Sequence, residues 1–273
     1  MGNEVQSPFL KWPGGKSWLV QKYFDVIPQQ FNHYFEPFLG GGAVFFALKP
    51  KQATISDKNL DLINLYQVMR DFPEILAKKM QFHQKKHSKT YYYEIRKGIS
   101  NDLIDQAARM LYLNRTCFNG MYRVNKQGMF NVPIGTKNNC IYDINSFILY
   151  SHILNNVEII KADFEESISI ARKDDLIFAD PPYASSKATD NFIKYNDQLF
   201  TWVDQMRLCK CLTEARNRGS IIVLTDVVCD DVKQMYEAEG FWVKKITRFS
   251  AISGKKEKRG IVEEFLITSF FVE

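Results

Sequence analysis

The sequence predicts an α/β fold built on a mostly parallel sheet, with a second, largely helical segment inserted into it. Short apolar, β-prone runs alternate with longer mixed segments, which is the pattern of strand–helix–strand units. The runs are unevenly spaced: two lie close together near the start and the third comes only after residue 155. A glycine turn follows the first run and an acidic residue follows the second, the places where a parallel sheet meets nucleotide-like ligands.

The candidate strands are His33–Pro37, Ala53–Ser56, Val157–Lys161, Asp175–Ala179, Ser220–Thr225, Phe241–Phe249 and Glu264–Phe270. The gap from Asp57 to Asn155 differs from its flanks. It holds QFHQKKHSKTYYYEIRKG (81–98), rich in Lys, His and Tyr, then DLIDQAARMLYLNR, which reads as a helix. The stretch LNRTCFNGMYRVNKQGMFNVPIG follows, interleaving Arg115, Arg123 and Lys126 with Phe118, Tyr122 and Phe130. Neither a period of 2 nor one of 3.6 survives across it, so a core element explains it poorly. The expected division is a discontinuous domain of residues 1–57 and 156–273 with a second domain, 58–155, set into it.

Composition excludes several classes. Of 273 residues, 45% are hydrophobic and 25% charged, so a core forms without disulfides or metals. Five cysteines (Cys117, Cys140, Cys209, Cys211, Cys229) form no repeated framework, and the C-x-C at Cys209 and Cys211 is not the C-x-x-C of zinc or redox pairs. Four scattered histidines argue against a metal site. No apolar run approaches the roughly 20 residues of a membrane span, and no signal-peptide pattern opens the chain. The expectation is a reduced cytoplasmic protein. Its net charge of +5 permits a polyanionic partner without demanding one.

Four motifs carry chemistry. In YFEPFLGGGAVFFAL (34–48) three glycines let the backbone turn tightly and approach a ligand, Gly40–Gly42, although such a turn also occurs without one. Asp57, in ATISDKNLDLINLY, suits hydrogen bonds to ribose hydroxyls or, equally, a helix N-cap. FLKWPGGKSW (9–18) tempts a phosphate-loop reading, but Leu10 stands where that loop needs its first glycine. What remains is a glycine turn bearing Trp12 and Lys16, a ring and a cation that can close over a small ligand or simply mark a surface turn. The sharpest signal is DLIFADPPYASS (175–186), where an apolar strand delivers Asp180 to Pro181, Pro182 and Tyr183. The prolines stiffen the chain and offer carbonyls only. A carboxylate and a fixed carbonyl beside an aromatic plate suit an exocyclic amino group, whose two N–H donors they satisfy. The plain alternative is a strand end followed by a turn and a surface tyrosine.

Taken together and in order, FLKWPGGK, FEPFLGGGAVFF, DKNLDLIN, LNRTCFNGMYRVNKQGMFNVPIG, ADF and DPPY resemble the DNA adenine methylase (Dam) family, S-adenosylmethionine-dependent adenine-N6 DNA methyltransferases. The resemblance spans nearly the whole chain. It implies a class-I methyltransferase (Rossmann-like) fold: a seven-stranded, mostly parallel sheet with a final antiparallel hairpin and an inserted, largely helical target-recognition domain. It implies S-adenosyl-L-methionine as methyl donor, no metal, and a monomer acting on double-stranded DNA with no membrane involvement. Trp12, Lys16, Gly40, Gly41, Gly42, Asp57, Asp163, Phe164 and Asp180 would hold the cofactor. Asp180, the Pro181 carbonyl and Tyr183, with Pro182 between, would hold a flipped adenine. Lys11, Phe118, Asn119, Met121, Arg123, Asn125 and Pro133 would read DNA, favouring a GATC site.

The basic segments HQKKHSK and SGKKEKR would grip phosphates. The chain departs from the family at Thr136-Lys137-Asn138-Asn139, and at VLTDVVCDD, which lacks a common Ser-Asn. Both departures are expected to touch flanking contacts and not catalysis. The rival readings are a DNA-binding module without catalysis and an amino methyltransferase acting on RNA or on protein glutamine.

Overall fold

Every one of the seven β-prone runs carries a strand. The computed structural model describes residues 6–125, 127–137, 139, 143–184, 200–250 and 260–272. Lys126, Asn138, Cys140 and positions 253–259 of the basic SGKKEKRG segment lie outside the described residues. The strands are β1 Tyr34–Glu36, β2 Ala53–Asp57, β3 Val157–Lys161, β4 Leu176–Ala179, β5 Ile221–Val227, β6 Trp242–Ser250 and β7 Gly260–Thr268. The described helices are α1 Ser17–Tyr23, α2 Ala43–Leu48, α3 Leu60–Asp71, α4 Pro73–Lys86, α5 Lys89–Lys97, α6 Leu103–Thr116, α7 Ile144–Leu154, α8 Phe164–Ser169, α9 Trp202–Asn217 and α10 Asp230–Ala238.

The strands form one sheet in the order β3-β2-β1-β4-β5-β7-β6. β1 pairs in parallel with β2 and β4, and β4 with β5, while β7 runs antiparallel between β5 and β6. The mostly parallel, seven-stranded α/β architecture expected from the sequence is therefore present. Chain order reverses between β1 and β4, so their carboxyl ends flank the crevice where open α/β sheets bind ligands. β4 is buried along its whole length, LIFA, as a central parallel strand must be to face helices on both sides.

The last strand begins at Gly260, not at the expected Glu264. Its second half, Glu264–Thr268, pairs with β5 and is buried, whereas its first residues pair only with β6 and leave Ile261 77% exposed. The apolar run marked only the part that enters the core.

The chain divides into two compact units. The first comprises Met1–Ser17, Gly40–Lys49 and Asp57–Lys161; the second, Trp18–Leu39, Pro50–Ser56 and Ala162–Glu273. Helices of the first unit start where sequence chemistry places caps. Asn59 accepts the Leu62 amide, Ser88 the Tyr91 amide and Asp102 the Asp105 amide, each satisfying an orphan donor, while Pro73 opens α4 at a position that needs no N–H. An aromatic knot of Phe9, Phe46, Tyr66 and Tyr150, with centroids 4.9–6.2 Å apart, supplies much of its core. In the second unit Ile177, Ile222 and Leu224 of the sheet meet Leu208 and Leu212 of α9. Each such buried aliphatic chain contributes about 1.5–3 kcal/mol.

The histidines of the 81–98 segment face inward. His83 Nδ1 lies 2.7 Å from the Tyr91 hydroxyl and its ring stacks on Tyr112 at 4.8 Å, while His87 Nδ1 lies 2.8 Å from the Tyr112 hydroxyl. The neighbouring Lys85, Lys86 and Lys89 are exposed. Burial lowers His83 to about 4, the nearby Asp105 only partly opposing it. The unfolded chain therefore binds this proton first as pH falls. Stability is expected to drop between about pH 6.5 and pH 4 and to be unaffected by this group above that window. Urea unfolding midpoints of wild type and His83→Gln at pH 7.5 and 5 check this: the acid loss should shrink in the variant, and an identical loss in both would refute it.

Candidate functional site

In the second unit the site begins at the carboxyl edge of the sheet. The register of β4 on β5 pairs Ala179 with Leu224, which sets Asp180 level with Thr225. The buried Thr225 hydroxyl donates to Asp180 Oδ1 at 2.8 Å, which fixes the carboxylate's rotation. Pro181 is buried, and Pro182 and Tyr183 are half-buried. The Tyr183 hydroxyl donates to the Glu264 carboxylate. Burial, then the charges of Asp180, Glu264 and Asp226, push the phenol well above its ordinary pKa, so it stays a donor at neutral pH.

Behind this motif lies a polar layer that sequence reasoning missed. β7 runs antiparallel, so its first core residue, Glu264, sits opposite Val227 at the end of β5, close to the carboxyl edge of the parallel strands. Arg248 Nε on β6 donates to Glu264 Oε1 at 2.6 Å. Asp226 is wholly buried and accepts from Gln205 Nε2 at 2.6 Å and from the Val227 amide at 2.7 Å. The available signal was an acidic residue inside the apolar run IVEEFLI, whose partners depend on sheet order. The departure at VLTDVV also needs correction. Its Thr225 touches Asp180 itself and not a flanking contact.

Asp163 caps α8: its carboxylate accepts the Glu165 amide, and Glu166 accepts the Asp163 amide. Arg207 binds Asp163 at 3.1 Å and Glu165 at 2.6 Å while its guanidinium covers the Phe164 ring at 4.9 Å. Phe164 is buried and stacks on Phe38, centroids 5.4 Å apart. Its ring belongs to the core, and Phe38 stands outside it.

The first unit carries the glycine turn. Gly40 and Gly42 adopt left-handed φ of +47° and +65°, which glycine reaches without strain. A Cβ on Gly40 would stand 2.6 Å from Trp12 Cδ1, so the indole lies directly on the turn. Its ring also stacks on Tyr122, centroids 4.8 Å apart. Lys16 is buried, and its Nζ donates to the Gly14 carbonyl at 3.1 Å. Asp57 Oδ2 accepts the Gly40 amide at 3.1 Å and Oδ1 the Asn59 amide at 2.9 Å. Burial raises its pKa while these amides and that of Lys58 oppose the rise. Because Asn59 caps α3, Asp57 is not the N-cap; its carboxylate instead ties the glycine turn to the end of β2.

The recognition stretch forms a tight turn and a small hairpin. Phe118–Gly120 is a single 3-10 turn in which Asn119 (φ +56°) and Gly120 (φ +65°) are both left-handed, a conformation Asn and Gly tolerate best. The turn leaves Phe118 47% exposed and Asn119 exposed, with Met121 half-buried behind them. The Phe118 amide donates to the Pro133 carbonyl at 2.9 Å, tying Pro133 to the turn. Arg123 is exposed and its Nε donates to Asn131 Oδ1 at 2.7 Å. Asn125 faces its own loop, where its Oδ1 accepts the Gln127 and Met129 amides at 3.0 Å each. Lys11 is held at both backbone groups by Asn114, at 3.1 and 2.7 Å.

Burial raises the Cys117 and Cys211 thiols to about 11 and Cys209 to about 12, so all three stay protonated at neutral pH. Among the described residues no group of three or more His, Cys, Asp or Glu is placed to hold a metal ion, and no helix is long and apolar enough to cross a membrane.

Comparison with known proteins accords with this geometry. The family described as D12 class N6 adenine-specific DNA methyltransferase matches residues 12–252. The chain is 37% identical over 272 residues to the type II methyltransferase M1.LlaDCHI of Lactococcus lactis subsp. cremoris, covering 96% of this chain and 95% of that protein. It is 34% identical over 281 residues to the type II methyltransferase M.MjaIII of Methanocaldococcus jannaschii, with coverage of 94% and 96%. To the DNA adenine methylase of Vibrio cholerae serotype O1 it is 32% identical over 266 residues, with coverage of 96% and 95%.

Proposed function

The chain belongs to the D12 class of N6 adenine-specific DNA methyltransferases, and we propose that it moves a methyl group from S-adenosylmethionine to adenine N6 within GATC in duplex DNA, after flipping the base. The observation that carries this reading is Asp180, delivered by β4, rotationally held by Thr225 and followed by two prolines and Tyr183. Asp180 and the Pro181 carbonyl accept the two amino hydrogens of the target. That draws the nitrogen lone pair out of ring conjugation and aims it, while the Tyr183 ring stacks on the base. When bound, S-adenosylmethionine supplies a methyl group activated by its sulfonium. This chain's share is then positioning and electrostatics.

The glycine turn fits such a cofactor in its left-handed backbone and in the indole of Trp12, which occupies the space a Cβ on Gly40 would fill and so sets a ring against the turn. Gly40–Gly42 would pass under its methionine part with Trp12 and Lys16 close by. Asp57 would hold the ribose hydroxyls. Asp163, and Phe164 through the Phe38 it stacks on, would flank its adenine. Residues 58–155 would act as the recognition domain, and the protein would work as a cytoplasmic monomer.

Flipping costs on the order of a few kcal/mol. The exposed Phe118 would fill or support the opened stack. Asn119, Met121, Lys11 and Pro133 would lie along the bases, with Asn125 holding the hairpin that presents Arg123. Asn131 takes Arg123 Nε, so the terminal nitrogens are the pair that meets guanine O6 and N7. Such a contact is worth about 1–3 kcal/mol of discrimination. Arg123→Ala is therefore expected to relax sequence choice more than it slows the best site, as measured by kcat/KM on GATC and single-substitution duplexes; an equal loss on every sequence would contradict it.

Labelled S-adenosylmethionine with unmethylated duplexes, with and without GATC, tests the whole reading. Label confined to GATC duplexes supports it. Label in every duplex removes the GATC assignment, and label in no DNA removes the reaction.

A further inference from the structure

Three aromatic residues punctuate the recognition stretch. Phe118 is exposed at its turn and Phe130 is buried in its hairpin. Tyr122, half-buried between them in the chain, makes contacts with three different elements, all within the first unit.

Its ring stacks on the Trp12 indole, centroids 4.8 Å apart and planes inclined by 24°. That indole lies on the glycine turn, where a Cβ on Gly40 would stand 2.6 Å from Trp12 Cδ1 and one on Gly41 3.3 Å from Trp12 Cβ. The Tyr122 hydroxyl donates to Asp61 Oδ2 at 3.4 Å, and the Asn59 side chain reaches the same hydroxyl. Asn59 and Asp61 follow closely on Asp57, whose carboxylate accepts the Gly40 amide. Burial pushes the phenol up to about 12, so it stays protonated at neutral pH. The third contact is edge-on to Phe130 at 5.9 Å, and Phe130 bridges Val124 across the hairpin. Tyr122 thus leans on both segments around the glycine turn and on the hairpin at once.

Arg123 is the next residue. Its carbonyl accepts the Asn131 amide at 3.1 Å and its Nε donates to Asn131 Oδ1 at 2.7 Å, so its guanidinium is fixed relative to the hairpin. A two-stranded hairpin is at best marginally stable by itself, so the place of that guanidinium depends on what the hairpin rests against. Bidentate reading of a base edge is strict about this placement. A ligand packed on the glycine turn restrains the indole, the indole restrains the Tyr122 ring, and the backbone of Tyr122 carries Arg123.

We propose that Tyr122 is a positioning residue that makes the sequence discrimination of Arg123 depend on an occupied glycine turn. The proposal rests on the DNA-methyltransferase reading and deepens it by naming the side chain that joins cofactor to base readout. By linkage the effect is reciprocal: the recognised duplex tightens cofactor binding by the same factor as the cofactor tightens the duplex. One ring stack bounds its size at roughly 2- to 10-fold.

Anisotropy titrations of a GATC duplex and of a duplex with its guanine replaced test this, with and without saturating S-adenosylhomocysteine, which has no methyl group to transfer. In wild type the ratio of the two affinities should rise by roughly 2- to 10-fold when S-adenosylhomocysteine is added. In Tyr122→Leu the ratio should be the same with and without it. Tyr122→Phe keeps the ring and loses only the Asp61 bond, so it should retain most of the rise. Calorimetry of S-adenosylhomocysteine in the presence and absence of the GATC duplex should return the wild-type factor and lose it in Tyr122→Leu, a change that simple loss of packing would not produce. Should Tyr122→Leu fail to fold, Tyr122→Met serves as the ring-free variant, its flexible chain filling the gap. A wild-type ratio indifferent to S-adenosylhomocysteine overturns the proposal, as does an undiminished rise in the ring-free variant. Absence of S-adenosylhomocysteine binding, or of any GATC preference in either condition, would instead defeat the parent reading, so the two failures are distinct.

Discussion

Asp180→Ala is expected to abolish measurable methyl transfer while leaving DNA affinity near that of wild type. The carboxylate follows a fully buried strand, and Thr225 fixes its rotation at 2.8 Å. Such a preorganised acceptor acts without rearranging as the amino nitrogen develops positive charge, and removing one comparable group costs roughly 10²- to 10³-fold in rate. The loss should exceed that range if Asp180 also supports the cofactor. Asp180→Asn is the sharper variant. Its oxygen can still accept from Thr225, so the local fold survives, but its NH2 then meets the hydrogens of the substrate amino group. Donor faces donor, and the variant should be nearly as inactive as alanine. Single-turnover label transfer together with anisotropy on the same duplex measures both quantities. Appreciable transfer by Asp180→Ala would remove the proposed mechanism, and equal losses of rate and binding would make Asp180 a structural residue only.

Local chemistry was legible and long-range placement was not. The strand that carries Asp180 shows as LIFA, apolar throughout, because a central parallel strand has no solvent face. The tight turn at Gly40 and Gly42 follows from the glycine run itself, whereas the caps at Asn59, Ser88 and Asp102 depend on where each helix begins, and at α3 the sequence pointed to Asp57 instead of Asn59. Asp57 stayed ambiguous between ribose and cap because both need the same carboxylate at a strand end; the Asn59–Leu62 bond excludes the cap, and both Asp57 oxygens accept backbone amides. Asn125 matches its family position, yet its oxygen is turned into the 125–129 loop, a choice that depends on hairpin register and not residue type. The histidines at 83 and 87 sit in a basic segment expected to grip phosphates. They are half-buried because Tyr91 and Tyr112 converge on them from two other helices. Glu264 was hidden most thoroughly, since its partners, Arg248 and Tyr183, lie on elements that sheet order alone brings together.

Glu264→Leu is expected to cost about 3 kcal/mol of folding stability, towards the lower end for breaking a buried ion pair because Arg248 retains a route to water. The Glu264 side chain is 2% exposed and that of Arg248 20%, with Nε and Oε1 2.6 Å apart. Leucine removes the acceptor of Arg248 and of the Tyr183 hydroxyl at once, and a buried donor left unpaired costs about 1–3 kcal/mol by itself. Glu264→Gln keeps an acceptor for both and should lose less than half as much. The two variants also separate stability from function. If the Glu264 bond holds the Tyr183 ring in place, Glu264→Leu should raise KM for DNA even where the protein is fully folded, and Tyr183→Phe should raise it similarly with a smaller stability loss. In the double variant the KM effects should not add, because both sever one connection. Urea unfolding and steady-state kinetics at a temperature where every variant is folded provide the numbers. A Glu264→Leu protein as stable as wild type would show that the pair contributes nothing net, and additive KM effects would show that Glu264 does not act through Tyr183.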